Sequence, residues 1–405
     1  MSNTKKLLVV APQPFFQPRG TPFSVYYRTL ITTQLGFNVD LLAYGEGQDV
    51  EMESLKVIRT PRFAFLGNVK IGPSALKLFL DIFIFIQMVW LLTTRKYHTV
   101  HAHEEAVFIA VLLKPIFRYK LIYDMHSSLP QQLENFEFSK AKWLILLFEK
   151  LERWALKRSD GIITICPDLK EYVNSVLGEV PHHFLIENSI FDPVKLRGES
   201  SSTDNNSDAG DYATVVKKAE QFNQEGPLAV YAGTLESYQG IEILIESMVT
   251  VCSADEQFRL IVLGGTDSQI AHFQEMVERF SLAKQVWLHK RVPQAIASEV
   301  LAKADVLVSP RSAGTNTPLK VYEQLSSGKP LVATNIYSHT QVLSEDVCFL
   351  SEPDAKSFGQ ALVIAFTDKN AIASRVDGAR RLYAESYSKK AYVSKMELLF
   401  KAVEL

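Results

Sequence analysis

Residues 309–334, SPRSAGTNTPLKVYEQLSSGKPLVAT, read as a loop, a helix and a strand in immediate succession. Thr317 is placed to cap the helix, and Pro318 suits its first position, where a missing N–H costs nothing. Lys320 then falls in the first turn, where a cation opposes the helix macrodipole. A negative ligand at that end reverses the sign, because free backbone N–H groups and the lysine then converge on one phosphate. Glu323 lies one turn from Leu319 and Lys320 and can accept hydrogen bonds from hydroxyls near the same end. Gly328 and Pro330 close the helix, and Leu331–Ala333 begins the next strand. A cation for a diphosphate and a carboxylate for a ribose, on one short helix, fit a nucleotide-sugar site. The same spacing also fits a surface lysine and glutamate on an ordinary βα unit.

Strand and helix patterns alternate throughout the chain. Lys6–Ala11 is a buried-strand run followed by a Pro/Gly-rich loop, 12–22, and a helical pattern over 23–35. Further strands are predicted at 36–43, 99–102, 120–123 and 161–165, and again at 228–231, 258–263, 286–288, 306–308 and 330–333. This alternation predicts two parallel, doubly wound α/β sheets. Residues 198–210, GESSSTDNNSDAG, have no apolar member except Ala209 and read as a flexible loop. The predicted domains are 1–190, 191–385 and a closing helical segment, 386–405.

A chain of 405 residues accommodates two cores. Its 47% apolar and 22% charged content is ordinary for a globular protein. Residues 1–190 carry 21 Lys and Arg against 18 Asp and Glu, and residues 191–405 carry 22 against 27. Neither half is basic enough to suggest nucleic acid. Cys166, Cys252 and Cys348 are widely spaced, form no CxxC or Cys/His cluster, and read as reduced core residues of a cytoplasmic protein. The first ten residues hold only a short apolar run, so no secretory signal is expected. His101, His103, Glu104 and Glu105 crowd one strand end without a distal ligand of obvious spacing, which predicts a solvated loop rather than a metal site.

The 309–334 stretch resembles the donor-site signature of retaining family 4 glycosyltransferases, in the subgroup reading S-P-R-x-x-G-T-N-T-P-x-K-x-Y. That resemblance implies the glycosyltransferase B fold, with two facing Rossmann-like domains, the site at the strands' carboxyl ends, and the closing helix crossing back onto the first domain. It carries the family's ribose-holding glutamate onto Glu323. Thr315 stands where the common pattern has a further glutamate near the transferred sugar. Tyr231–Gly240 resembles the family's G-R-x…K-G segment, with Gly233 retained and Thr234 and Gln239 in place of the arginine and lysine that neutralise the diphosphate. Lys320 and Arg311 are the nearest replacement cations, although Arg311 also suits a structural pair with a carboxylate. Gly264 could let backbone approach the nucleotide, or serve a plain tight turn.

In the first half, Gly20 lies in the first βα loop, where the family has a glycine-rich loop facing the reacting centre. Arg19 suits either donor phosphates, an anionic acceptor, or plain exposure. His126, in Tyr-Asp-Met-His-Ser-Ser, occupies the place of the family's cleft histidine on the acceptor side, and Asp124 could orient it or cap the turn. Residues 78–92 hold thirteen apolar residues of fifteen, with only Asp81 and Gln87 polar. Residues 142–157 place Trp143, Ile145 and Leu146 outside their main apolar face. These helices suit burial, or an interfacial surface that meets a lipid-linked acceptor.

The function expected is therefore a retaining hexosyltransferase that takes a nucleoside diphosphate sugar and needs no cofactor or metal. Lys320 and the amides at Asn316 and Thr317 would stabilise the departing diphosphate, with a saccharide or lipid-linked acceptor at His126. Its place would be surface polysaccharide or glycolipid synthesis, in the cytoplasm or peripheral on the inner face of the membrane. The competing readings are a nucleotide-sugar 2-epimerase of the same fold and a nucleotide-sugar-binding pseudoenzyme.

Overall fold

The computed structural model describes residues 5–17, 20–62, 75–128, 142–191, 194–197 and 206–405. The chain divides into two units, Met1–Ser200 with Lys389–Leu405, and Ser201–Ser388. The sequence-based divisions, after 190 and after 385, fall slightly earlier.

In the first unit the strands are β1 (Lys6–Pro14), β2 (Asn38–Tyr44), β3 (Leu55–Arg59), β4 (Thr99–His103), β5 (Lys120–Met125), β6 (Gly161–Thr164) and β7 (His183–Leu185). They form one parallel sheet in the order β3-β2-β1-β4-β5-β6-β7. The second unit repeats the plan with β8 (Leu228–Ala232), β9 (Arg259–Leu263), β10 (Val286–His289), β11 (Val306–Ser309), β12 (Leu331–Thr334) and β13 (Phe349–Ser351), in the order β10-β9-β8-β11-β12-β13. Two doubly wound parallel sheets are thus present, as the alternating pattern predicts. Each order reverses once, between β1 and β4 and between β8 and β11. At such a switch point neighbouring crossovers leave to opposite faces and open a crevice at the carboxyl ends.

The strands are apolar on both faces because helices cover both. Along β8, Ala229 and Tyr231 join one core while Leu228 and Val230 join the other, the period-2 alternation of a pleated strand. The closing helix, Lys389–Ala402, packs in the first unit, where Phe400 meets Phe37 at 4.9 Å between ring centroids.

Several boundaries differ from expectation. β1 runs on to Pro14 and the next helix starts at Gly20, so the first loop is shorter than 12–22. The 198–210 loop is cut short by a helix from Asn206 to Glu225, which buries Val215, Ala219 and Phe222.

The Ala75–Thr94 helix is apolar on two faces. Leu80, Ile84, Met88 and Leu91 pack on the sheet. Leu78, Ile82, Ile86 and Trp90 are 54–63% exposed on the other side. Its one acid, Asp81, points inward and accepts a hydrogen bond from the Tyr44 hydroxyl at 2.6 Å, and burial pushes its carboxyl up to about 6. Length and composition would suffice to cross a membrane. The inward face instead holds the helix on the sheet.

Candidate functional site

In the second unit the loops that follow β8, β9, β11 and β12 meet at the switch point. Gly233 N–H donates to the Leu263 carbonyl, and the next strand's turn comes so near that a Cβ on Gly264, at φ +143°, would collide with the Gly233 oxygen. Gly264 therefore answers a close backbone approach within the protein. Tyr231 is fully buried, and its hydroxyl donates to the Thr234 carbonyl at 2.7 Å. Gln239 lies 3.3 Å from that hydroxyl and 3.4 Å from the Thr234 hydroxyl, so the two residues in place of a cationic pair stabilise the turn. Gly240, at φ +68°, heads the Ile241–Ala254 helix, and a side chain there would strike the Pro310 carbonyl. The β8 turn is thereby locked to the β11 loop, where Ser312 N–H donates to the Tyr238 carbonyl at 2.9 Å.

The helix after β11 is Leu319–Ser326, with Pro318 rather than Thr317 at its cap and no side-chain capping bond. This corrects the expected cap. Pro318 takes the extended conformation (ψ 132°), and the buried Thr317 hydroxyl finds no partner among the described residues. Arg311 is the loop's internal tie. Its guanidinium donates to the Ala313 carbonyl at 2.7 Å and the Asn316 carbonyl at 3.0 Å, and lies over the Tyr238 ring. Its partners are thus backbone carbonyls, not the carboxylate of a structural pair. Thr315 is exposed, with its carbonyl accepting from Gln341.

Lys320 lies with its ammonium 3.9 Å from the centre of the Tyr231 ring, a cation–π contact. Burial, and then the nearby Arg311 charge, push its pKa down to about 7. Burial also lowers Arg311. Among the described residues neither cation has a carboxylate partner. Glu323, three residues on, is not paired with Lys320, and burial raises its carboxyl. His339, absent from the sequence-based candidates, is buried beneath this site. It bonds the Ser309 hydroxyl at 2.9 Å and the Thr334 carbonyl at 2.9 Å. Burial, opposed by the bond to Thr334 and assisted by Lys320 and Arg311, pushes it down to about 4, so it is neutral near pH 7. A lone histidine in a turn carries no sequence signal of that role.

In the first unit the carboxyl ends of β4 and β5 hold a second cluster. His126 is buried, with Nε2 3.1 Å from Nδ1 of His103 and 3.3 Å from Oδ1 of Asp124. The expected solvated loop at His101 and His103 is wrong. Both lie inside β4 at 1% exposure, and their rings stack 4.7 Å apart. Parallel pairing sets His103 opposite Asp124, a register the sequence cannot show. Asp124 accepts from Arg28 Nε at 2.8 Å and bonds His101 Nε2 at 3.0 Å. Burial disfavours its charge, but Arg28 and the histidines hold the carboxyl well below its usual range. Burial lowers His101 and His103. His101, His103 and Asp124 bring three donor atoms within 4.8 Å of one another, yet Arg28 already supplies the carboxylate's counter-charge. Gly20 opens its helix with nothing near the place of a Cβ. Arg19 lies outside the described residues.

Comparison with known proteins follows this division of the chain. Residues 28–188 match the model "Glycosyltransferase Family 4", and residues 226–368 match "Glycosyl transferases group 1". A phosphatidylinositol N-acetylglucosaminyltransferase subunit of Arabidopsis thaliana is 24% identical over 379 residues, covering 89% of this chain and 75% of that protein. Sucrose-phosphate synthase of Thermosynechococcus elongatus superposes with a TM-score of 0.72 at 16% identity, covering 99% of each chain. Anabaena HepE, solved in complex with UDP, gives 0.69 at 13% identity over 98% of this chain and 100% of its own. These likenesses establish the glycosyltransferase B fold for both sheets. Each half is thus matched by a glycosyltransferase model, which supports a glycosyltransferase of the family 4 type.

Proposed function

We propose that the chain is a retaining glycosyltransferase that moves a hexose-like sugar from a nucleoside diphosphate to an acceptor hydroxyl, in surface polysaccharide or glycolipid synthesis. The observation that carries this reading is the pair of half-buried cations, Lys320 and Arg311, at the second sheet's switch point. Burial without a counter-ion disfavours both charges, and a bound diphosphate would restore them. The UDP held by HepE supports a nucleoside diphosphate as the ligand class.

In this reading Lys320 and the first-turn amides of the Leu319–Ser326 helix stabilise the charge that grows on the departing diphosphate. The bond from the sugar's anomeric carbon to the diphosphate oxygen breaks. The acceptor oxygen bonds to that carbon from the same face, and its proton passes to the leaving phosphate. Glu323 holds the ribose and His126 serves the acceptor. The donor is a substrate, and the scheme calls on no cofactor or metal.

The test is release of nucleoside diphosphate from a panel of nucleotide sugars, with and without saccharide or lipid-linked acceptors. Acceptor-dependent release supports transfer. Binding without release in any combination would make the protein a nucleotide-sugar-binding module instead. Glu323→Gln should weaken donor binding, measured calorimetrically, more than it lowers maximal turnover. His126→Ala should lose transfer while donor affinity stays within about threefold, since a group on the acceptor side acts on the transition state. An equal loss of both would assign His126 to the donor.

The same proposal sets the protein in the cytoplasm, peripheral on the inner face of the cell membrane. Its support is the exposed apolar side of the Ala75–Thr94 helix, continued by Leu112 and Ile116 of the Ala106–Phe117 helix and by Leu146 and Leu147 of the Lys142–Arg158 helix. Exposed apolar residues gathered on neighbouring helices mark an interaction surface.

A further inference from the structure

At the amino-terminal ends of β4, β5 and β6, away from His103 and His126, the first unit holds a cavity of about 490 Å³. The two sites are separated by the length of the strands, roughly 15–20 Å at about 3.3 Å per residue. The cavity lies where the Ala106–Phe117 and Lys142–Arg158 helices end, walled by Lys114, Arg118, Lys120 and Arg158 with Trp154. Among the described residues one acid lines it. That acid, Asp160, is already engaged by Lys114 at 2.7 Å and by the Leu121 N–H at 2.7 Å. Lys120 pairs with Glu404 at 2.9 Å. The guanidinium groups of Arg118 and Arg158 have no acidic partner among the described residues and are exposed.

Helix carboxyl ends attract cations in their own right, and Lys114, bonded to the Arg158 carbonyl at 2.6 Å, answers that demand. Two further guanidinium groups beside a concavity exceed it. Arginine forks match phosphate oxygens in pairs. On the Ala106–Phe117 helix Ile116, 69% exposed, and Leu112, 60% exposed, continue the apolar face beside this basic mouth. Apolar side chains next to unpaired arginines fit a surface that is itself acyl chain beneath phosphate.

We propose that this cavity receives the phosphate headgroup of an anionic phospholipid, through Arg118 and Arg158, when the apolar helix face rests on a membrane. The inference rests on the peripheral-membrane reading above and adds a recognition site to it.

The experiment is flotation of the full chain with vesicles of phosphatidylcholine alone and with phosphatidylglycerol added. Three variants are compared: Arg118→Gln with Arg158→Gln, Lys356→Gln with Lys369→Gln as a charge-matched control on the second unit, and Ile82→Gln with Ile86→Gln. The parent should bind phosphatidylglycerol vesicles more tightly than neutral ones. The cavity variant should lose about thirtyfold of that binding, the effect of two basic contacts at a membrane surface, while the control stays within about threefold. The apolar variant should bind neither vesicle. If the control loses as much as the cavity variant, or the cavity variant binds like the parent, the headgroup site is overturned and the membrane reading stands. If the parent floats with neither vesicle, the membrane reading falls and takes this inference with it.

Discussion

Lys320→Ala should lower donor turnover by roughly 10–1000-fold, because one ammonium is asked to balance a departing diphosphate in a partly desolvated place. The effect is expected to be large since Thr234 and Gln239, held to each other and to Tyr231, offer no replacement charge. It should also carry a pH signature. In the free protein burial pushes the ammonium's pKa down to about 7, and a diphosphate beside it favours the charged form. The complex therefore binds more protons than the free protein above that value. Donor affinity is full below pH 7 and falls as the pH rises through it, by up to about tenfold per unit until the pKa of the complex is reached. Lys320→Ala should flatten that profile. Calorimetric titration of nucleoside diphosphate from pH 6 to 9 measures it, and a flat profile in the parent would place the donor elsewhere.

Arg28→Met should destabilise the first unit by about 3–5 kcal/mol, the cost of leaving one member of a buried ion pair without its partner. Arg28 and Asp124 are 1% and 0% exposed, and the guanidinium also bonds the Tyr392 hydroxyl at 2.7 Å and the Ile186 carbonyl at 2.8 Å. It therefore ties β5, the end of the sheet and the closing helix to one charge. For a unit of this size the loss corresponds to a fall in melting temperature of about 10 °C. Adding Asp124→Asn should recover part of it, since the carboxylate left unpaired is then gone. Thermal unfolding of the parent, both single variants and the double completes the cycle. A single variant melting within about 2 °C of the parent would show that the pair does not hold the unit.

Much of the fold was legible because parallel strands buried on both faces are continuous apolar runs. Lys6–Ala11, 228–231 and 306–308 stand out against polar helix faces for that reason. The strands not named from the sequence are β3, whose five residues are all at least partly exposed, and β7 and β13, of three residues each. All three close sheet edges, where one neighbour is missing and fewer residues need be apolar. The Asn206–Glu225 helix was half hidden because its first residues are mostly polar in sequence, while Val215, Ala219 and Phe222 of its later turns join a core.

The candidate site divides in the same way. Local chemistry was readable where the residues are neighbours in sequence. Lys320, Glu323 and the loop before them are set by a helix start, a property of consecutive residues. The Tyr231 ring beneath Lys320, the neutral His339 and the tie of Arg311 to its own loop carbonyls come from segments up to about a hundred residues apart or from a loop's closure on itself. In the first unit, His101 and His103 read as solvent-exposed until pairing of β4 with β5 set them against Asp124, and Arg28 reached the same carboxylate across the sheet. The sequence by itself determined the parallel-sheet class, the order of its elements and the helix at Leu319–Ser326, because periodicity and helix signals act over one to four residues. Only the tertiary structure decided which charges are buried, which are paired and which stand without a counter-charge among the described residues. Burial and counter-charge depend on register and crossover, which bring together residues that no local pattern connects.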